Sequence, residues 1–246
     1  MNIKILYIIV LTIILSGCAS VQVSQKSSVI DYLYPSQDIK SVKPGLPPLI
    51  TPLAVGIAFV PQGQELNQNP VSVSLWAGKT KPNELDDIRK KALLKIISHK
   101  FRQQKLFDNV QVIPPNYLTE KGGFENLDKI QTMYGIDVIA LIAYNQNQFF
   151  TEGTSSDLYT TLGGEYLISG SQYDTGTLMD TTIYDVTSKT LLFRAQGTSL
   201  IKARAIPKNL TDELTEDSIQ GFDFASEMML RNLDNRLTHF ANSVNK

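Results

Sequence analysis

Cysteine is nearly absent: Cys18 is the only one in the chain. One cysteine cannot pair within its own chain, so no internal disulfide frames the fold. Histidine is almost as scarce. His99 and His239 stand 140 positions apart, both in stretches that read as solvated helix. No C-x-x-C or H-E-x-x-H spacing occurs, so neither a metal site nor another cofactor is expected. Phosphate loops are missing too, since Gly122-Gly123 and Gly163-Gly164 lack the Gly-Lys-Ser/Thr and G-x-G-x-x-G arrangements. A serine hydrolase would place G-x-S-x-G between strand and helix, and Ser169-Gly170-Ser171 has the wrong spacing. Excess charge of one sign is absent: 23 Lys and Arg face 24 Asp and Glu, a formal net of −1. That balance argues against a nucleic-acid partner. Finally, no apolar run reaches the roughly 20 residues that a membrane-spanning helix needs.

What is present begins with the N-terminus, MNIKILYIIVLTIILSGCAS. Lys4 supplies a short positive region, and Ile5 to Leu15 form an apolar run of 11 residues. Short run, small residues and polar sequel read as a secretory signal over residues 1–17. Leu15-Ser16-Gly17-Cys18 resembles a bacterial lipobox. It implies cleavage before Cys18 and a thioether-linked diacylglycerol on the Cys18 sulfur. Two or three acyl chains anchor stably where one alone is marginal. The expected partner is therefore a lipid bilayer, reached through acylated Cys18. Ala19 and Ser20 follow the cysteine. By resemblance to lipoproteins of double-membrane bacteria, the missing Asp there implies the outer membrane, with the domain facing the periplasm.

Residues 18–52 read as an acylated N-terminus and a flexible tether, with Pro35, Pro44, Pro47, Pro48 and Pro52 among Ser, Gln and Lys. One apolar island interrupts it: Val29, Ile30, Tyr32, Leu33 and Tyr34. Burial of a Leu or Ile is worth roughly 1.5–3 kcal/mol, so the island is expected to dock, on its own domain or on a partner.

A single α/β domain is expected over residues 53–246. LAVGIAFVP (Leu53 to Pro61) reads as a buried strand. Residues 62–82 read mostly as loop, with Val71 to Trp76 as a short edge strand. A helix follows, with Asn83 as its cap and Leu85, Ile88, Ala92, Leu93, Ile96, Ile97 and Phe101 as its inner stripe. Asn109 to Pro114 is a second strand. Phe124, Leu127, Ile130 and Met133 mark a helix that Gly135 ends. Asp137 to Phe149 is a third strand. Thr175 to Ala203 reads as a hairpin turning near Thr187-Ser188-Lys189. A last helix over about 215–243 carries the stripe Ile219, Phe222, Ala225, Met229, Leu233, Leu237 and Phe240. The expected order is β-α-β-α-β-β-β-α: a mixed sheet flanked by helices, with an antiparallel extension and a long C-terminal helix.

Three pieces carry a distant resemblance: LAVGIAFVP, YGIDVIALIA and TIYDVTSKTLLFRAQG. They look like the periplasmic α/β domains of the curli-secretion lipoprotein, of lipoprotein activators of penicillin-binding proteins, and of the TolB amino-terminal region. Longer stretches resemble the bacterial rhombotarget lipoproteins. These are SSVIDYLYP, VGIAFVP, GGFENLDKIQTMYGIDVIALIAYNQ, LMDTTIYDV, LLFRAQGTS and DSIQGFDFASEMMLRNLD. That resemblance implies an exported lipoprotein without an assigned molecular activity. Some of its members carry a sorting tail with an apolar span. This chain ends LTHFANSVNK, so tail processing is not carried over.

Asp137, Asp180 and Asp185 lie at or in expected strands. They are read as structural, Asp185 as a turn residue bonding its own backbone. The expected function is a non-enzymatic binding or assembly factor of the cell envelope whose partner is another envelope protein. Two alternatives stand beside it. A peptidoglycan-directed hydrolase would need two carboxyls at a set separation. A secretion-pore subunit would need membrane strands, for which Leu158 to Ile168 within Phe149 to Tyr173 has the length but little alternation.

Overall fold

The structure is a computed structural model that describes residues 21–35, 47–62, 85–151, 171–205 and 210–244. Its elements are β1 (Val21–Lys26), α1 (Val29–Leu33), β2 (Leu53–Phe59), α2 (Asp87–Arg102), β3 (Phe107–Val112), a 3-10 turn (Pro115–Tyr117), α3 (Gly123–Tyr134), β4 (Val138–Thr151), β5 (Ser171–Asp185), β6 (Thr190–Ala205) and α4 (Leu210–Val244). From Leu53 onward the order is the expected β-α-β-α-β-β-β-α.

One six-stranded mixed sheet organises the chain, in the order β3-β2-β4-β5-β6 with β1 also paired to β4. β2 runs parallel to both β3 and β4. β4, β5 and β6 form an antiparallel meander. β4 is long enough to take two neighbours along one edge. Its first half, Val138 to Ile142, pairs with β2, and Asn145 to Phe150 pairs with β1.

Helices cover both faces. On the first, α2 and α4 bury Leu93, Ile97, Phe101, Phe222, Met229 and Leu233 against Val55, Ile57, Val138, Ala140, Ile142, Met179 and Ile183. On the second, α1 and α3 bury Tyr32, Leu33, Leu127 and Ile130 against Ile139, Leu141 and Tyr184. Because β4 is buried on both sides, its start reads as a continuous apolar run rather than an alternation. Gly197 permits the close seat of α4 on β6. A Cβ there would meet the Ala225 carbonyl oxygen at 2.0 Å and the Met229 nitrogen at 2.3 Å. Gly135 ends α3 in the left-handed conformation at φ 62°, as its position after the apolar stripe implies.

Several expectations change. Residues 18–52, expected to form a flexible tether, hold a paired strand, β1, and a helix with buried side chains, α1. Backbone pairing to a long β4 supplies order that the polar VQVSQK sequence does not advertise. Helix α2 is capped by Asp86, whose carboxylate accepts the Arg89 amide at 2.7 Å. Asn83 lies outside the described residues, as does Val71 to Trp76. The buried side of α2 is Leu93, Leu94, Ile97 and Phe101, while Ile88 is 81% exposed and Ile96 45%. In the C-terminal stripe Ile219 is half-buried, and the remaining six residues are buried.

Candidate functional site

The second face of the sheet is covered only in part. Strand alternation points Asp180, Thr182 and Tyr184 of β5 away from α4, toward the side where α1 lies. Ser27 fixes the start of α1 across β4: its amide donates to the Tyr144 carbonyl at 2.7 Å, and its Oγ accepts the Tyr144 amide at 2.9 Å. Ser28 then caps the helix by accepting the Asp31 amide at 3.2 Å. Beyond α1 the sheet opens into a cleft of about 180 Å³, where Ile30, Asn145, Leu178, Asp180, Leu191 and Arg194 meet.

The apolar island sorts by face. Val29, Tyr32 and Leu33 are 3–4% exposed, packed on the chain's own domain, while Ile30 is 55% exposed at the cleft. Tyr34 is half-buried and meets Phe124 edge to face at 5.5 Å. Phe124 in turn meets Tyr184 at 5.9 Å. The Tyr32 hydroxyl donates to Asn126 Oδ1 at 2.7 Å. Asn126 also accepts the Thr119 amide at 3.0 Å and donates to the Tyr117 carbonyl at 3.0 Å. One amide thus ties α1, α3 and the 3-10 turn together. Burial pushes the Tyr32 hydroxyl far above its ordinary pKa, so it stays a neutral donor.

Asp180, which interrupts the strand-like run TLMDTTIYDV, is 6% exposed. Its Oδ1 accepts Arg194 Nε at 2.7 Å and its Oδ2 accepts Thr182 Oγ1 at 3.2 Å. The register explains the pair. Thr182 stands opposite Arg194 on β6, and Asp180 opposite Gln196, so the Arg194 side chain need only lean back by one residue pair. Burial and the nearby Tyr34 push the Tyr184 hydroxyl up to about 12. Asn145 Oδ1 is buried at the cleft without a hydrogen-bond partner, an acceptor open to a ligand donor or water. The cleft can therefore hold a neutral, part-apolar group beside an Asp180 whose two oxygens are already engaged by Arg194 and Thr182.

Asp137 and Asp185 act on backbone. Asp137 Oδ2 accepts the Ala54 amide at 2.8 Å, and its own amide donates to the Ala54 carbonyl at 2.8 Å. Asp185 Oδ2 accepts the Ser188 amide at 2.7 Å, closing the β5–β6 turn as its sequence position implies. His99 and His239 are exposed on α2 and α4. Among the described residues no group of three His, Cys, Asp or Glu is placed to hold a metal ion. No described helix is long and apolar enough to cross a membrane. Cys18 and residues 152–170, which include Leu158 to Ile168, lie outside the described residues. Arg194 and Asn145 were not singled out by sequence reasoning. An Asp in the middle of a long strand, with an Arg two residues from its opposite position in the next strand, is the signal that points to the cleft.

No protein-family model matches the chain, and no curated protein matches it. Among solved structures, the PelC dodecamer from Paraburkholderia phytofirmans is similar at a TM-score of 0.31 and 10% identity, covering 79% of this chain and 94% of that one. A variant of the same dodecamer gives 0.30 and 11%, covering 82% and 96%. Scores this low establish no common fold.

Proposed function

We propose that the chain is a membrane-anchored envelope lipoprotein that works as a non-enzymatic binding or assembly factor. The observation that carries this reading is the cleft between α1 and β4–β6. Its exposed apolar rim, Ile30, Leu191 and half-buried Leu178, surrounds an Asp180–Arg194 pair whose charges satisfy each other. Such a surface suits recognition of a protein segment more than proton transfer. The anchor is Cys18, by the Leu15–Cys18 motif, and the sequence resemblance to rhombotarget lipoproteins points the same way. β1 starts at Val21, three residues on, so the domain sits within roughly 10 Å of the acylated cysteine at ~3.3 Å per residue. The partner is another envelope protein.

In-cell photocrosslinking tests this. A photoreactive side chain placed at Ile30 or Leu191 should capture one defined envelope protein, and Arg194→Glu should abolish the adduct. Capture of nothing from either position, or an adduct indifferent to Arg194→Glu, would count against the cleft as the binding site.

A further inference from the structure

The outward face of α2 combines two features that the fold does not use. Ile88 is 81% exposed and Ile96 45%. With exposed Ala92 they fall at i, i+4 and i+8, one stripe along the helix. The same stretch concentrates charge: from Asp87 to Lys105 there are seven Lys and Arg against Asp87 alone, in a chain whose net is −1. Two of these cations are tied inward to α4, Arg89 to Asp223 at 3.7 Å and Lys100 to Asp234 at 3.2 Å. Lys91 and Lys95 are exposed on one flank of the apolar stripe; Arg102, on the same flank, donates from Nη2 to the Val110 carbonyl of β3 at 3.1 Å.

From this geometry we infer that α2 is an interfacial helix that lays its Ile88–Ala92–Ile96 stripe on an anionic lipid surface, with Lys91 and Lys95 at the headgroups. An apolar stripe flanked by cations is the pattern of helices that lie in a membrane plane. Charge complementarity selects anionic headgroups, and the attraction weakens with salt. The inference rests on the anchored-lipoprotein reading for bringing the domain to a bilayer. It adds an orientation. α2 packs on one face of the sheet, and the cleft opens on the other. With α2 on lipid, Ile30 and Leu191 face the aqueous side, where a protein partner can reach them.

The mature chain carrying Cys18→Ser, which has no acyl group, isolates this contact from the anchor. It is mixed with sedimentable vesicles of phosphatidylcholine, alone or with one quarter phosphatidylglycerol. Partition into the anionic vesicles should exceed partition into the neutral ones by about tenfold or more. The Lys91→Glu/Lys95→Glu pair should remove that excess, and Ile88→Ser/Ile96→Ser should lower binding severalfold. A second arm reads orientation without depending on those variants. An environment-sensitive probe on Ile88→Cys should be quenched by spin-labelled lipid, and the same probe on Leu200→Cys, 63% exposed on β6 on the strand face that carries Arg194, should not. Absence of anionic preference, indifference to charge reversal, or equal quenching at both positions would overturn the inference. So would binding to polyglutamate but not to vesicles, which would assign the face to an acidic protein. Failure here with Cys18 acylated in cells removes the α2 contact and leaves the anchor standing. Missing acylation with vesicle binding intact does the reverse.

Discussion

Replacing Leu33 by Ala asks whether the segment just after the proposed anchor belongs to the folded domain. Leu33 is 3% exposed and shares a core with Leu118, Leu127, Ile130 and Leu141. Truncating a buried Leu to Ala costs about 2–5 kcal/mol, the transfer loss plus the cavity left behind. Natural domains have roughly 5–15 kcal/mol in total. In a domain of this size each kcal/mol moves the melting point by about 2–4 °C, so the shift should be about 4–20 °C. Ile30, one helical turn back and 55% exposed, is the internal control. Ile30→Ala should stay within about 0.5 kcal/mol of the parent. Thermal unfolding followed by circular dichroism on the mature Cys18→Ser chain measures both. If Leu33→Ala melts with Ile30→Ala, α1 is not docked, and the cleft that α1 walls does not exist as described.

Other perturbations probe other parts. Leu141, fully buried in β4, should cost about 2–5 kcal/mol as Leu141→Ala, read as a lowered denaturant midpoint. Gly197→Ala places a Cβ at 2.0 Å from the Ala225 carbonyl oxygen; the α4 seat must shift, so the variant should lose stability at least as much as a buried truncation and show altered amide exchange in α4. Asp217 supplies a pH dependence. Burial pushes its carboxyl above the ordinary carboxylate range, and the Tyr173 hydroxyl pulls it partly back. A raised native pKa means that the folded state holds the proton more tightly. Its stabilising contribution is present below the ordinary value near 4 and is lost as pH rises from there through the native value. The melting point of Asp217→Asn should therefore vary less with pH over that window than that of the parent, and equal slopes would refute the assignment.

Most of the fold was legible because its signals are local. The stripe from Phe222 to Phe240 repeats with the helical period, Gly135 follows the last turn of α3, and Asp185 sits where a hairpin turn needs a side-chain acceptor. The side of α2 was not legible. It carries isoleucines on two faces, so period alone cannot choose between Leu94 and Ile96. β1 escaped notice because its order comes from pairing to β4. Gln146 and Gln148 look like a polar strand end, yet their amides donate to the Ser218 and Leu214 carbonyls of α4 at 3.0 Å each. Only the packed helix reveals that partner. At the cleft, Asp180 could be placed in a strand from sequence, but its partner Arg194 is identified only by strand register.

The central proposal is that the chain is held at a bilayer through an acylated Cys18. Mass spectrometry of the N-terminal peptide, recovered from the membrane fraction of cells expressing the full chain, tests it most directly. The account predicts a peptide that begins at Cys18 and carries the added mass of diacylglycerol, and Cys18→Ser protein that is missing from that fraction in mature form. A membrane-bound protein whose mature N-terminus lies elsewhere, or whose Cys18 carries no lipid, would contradict it.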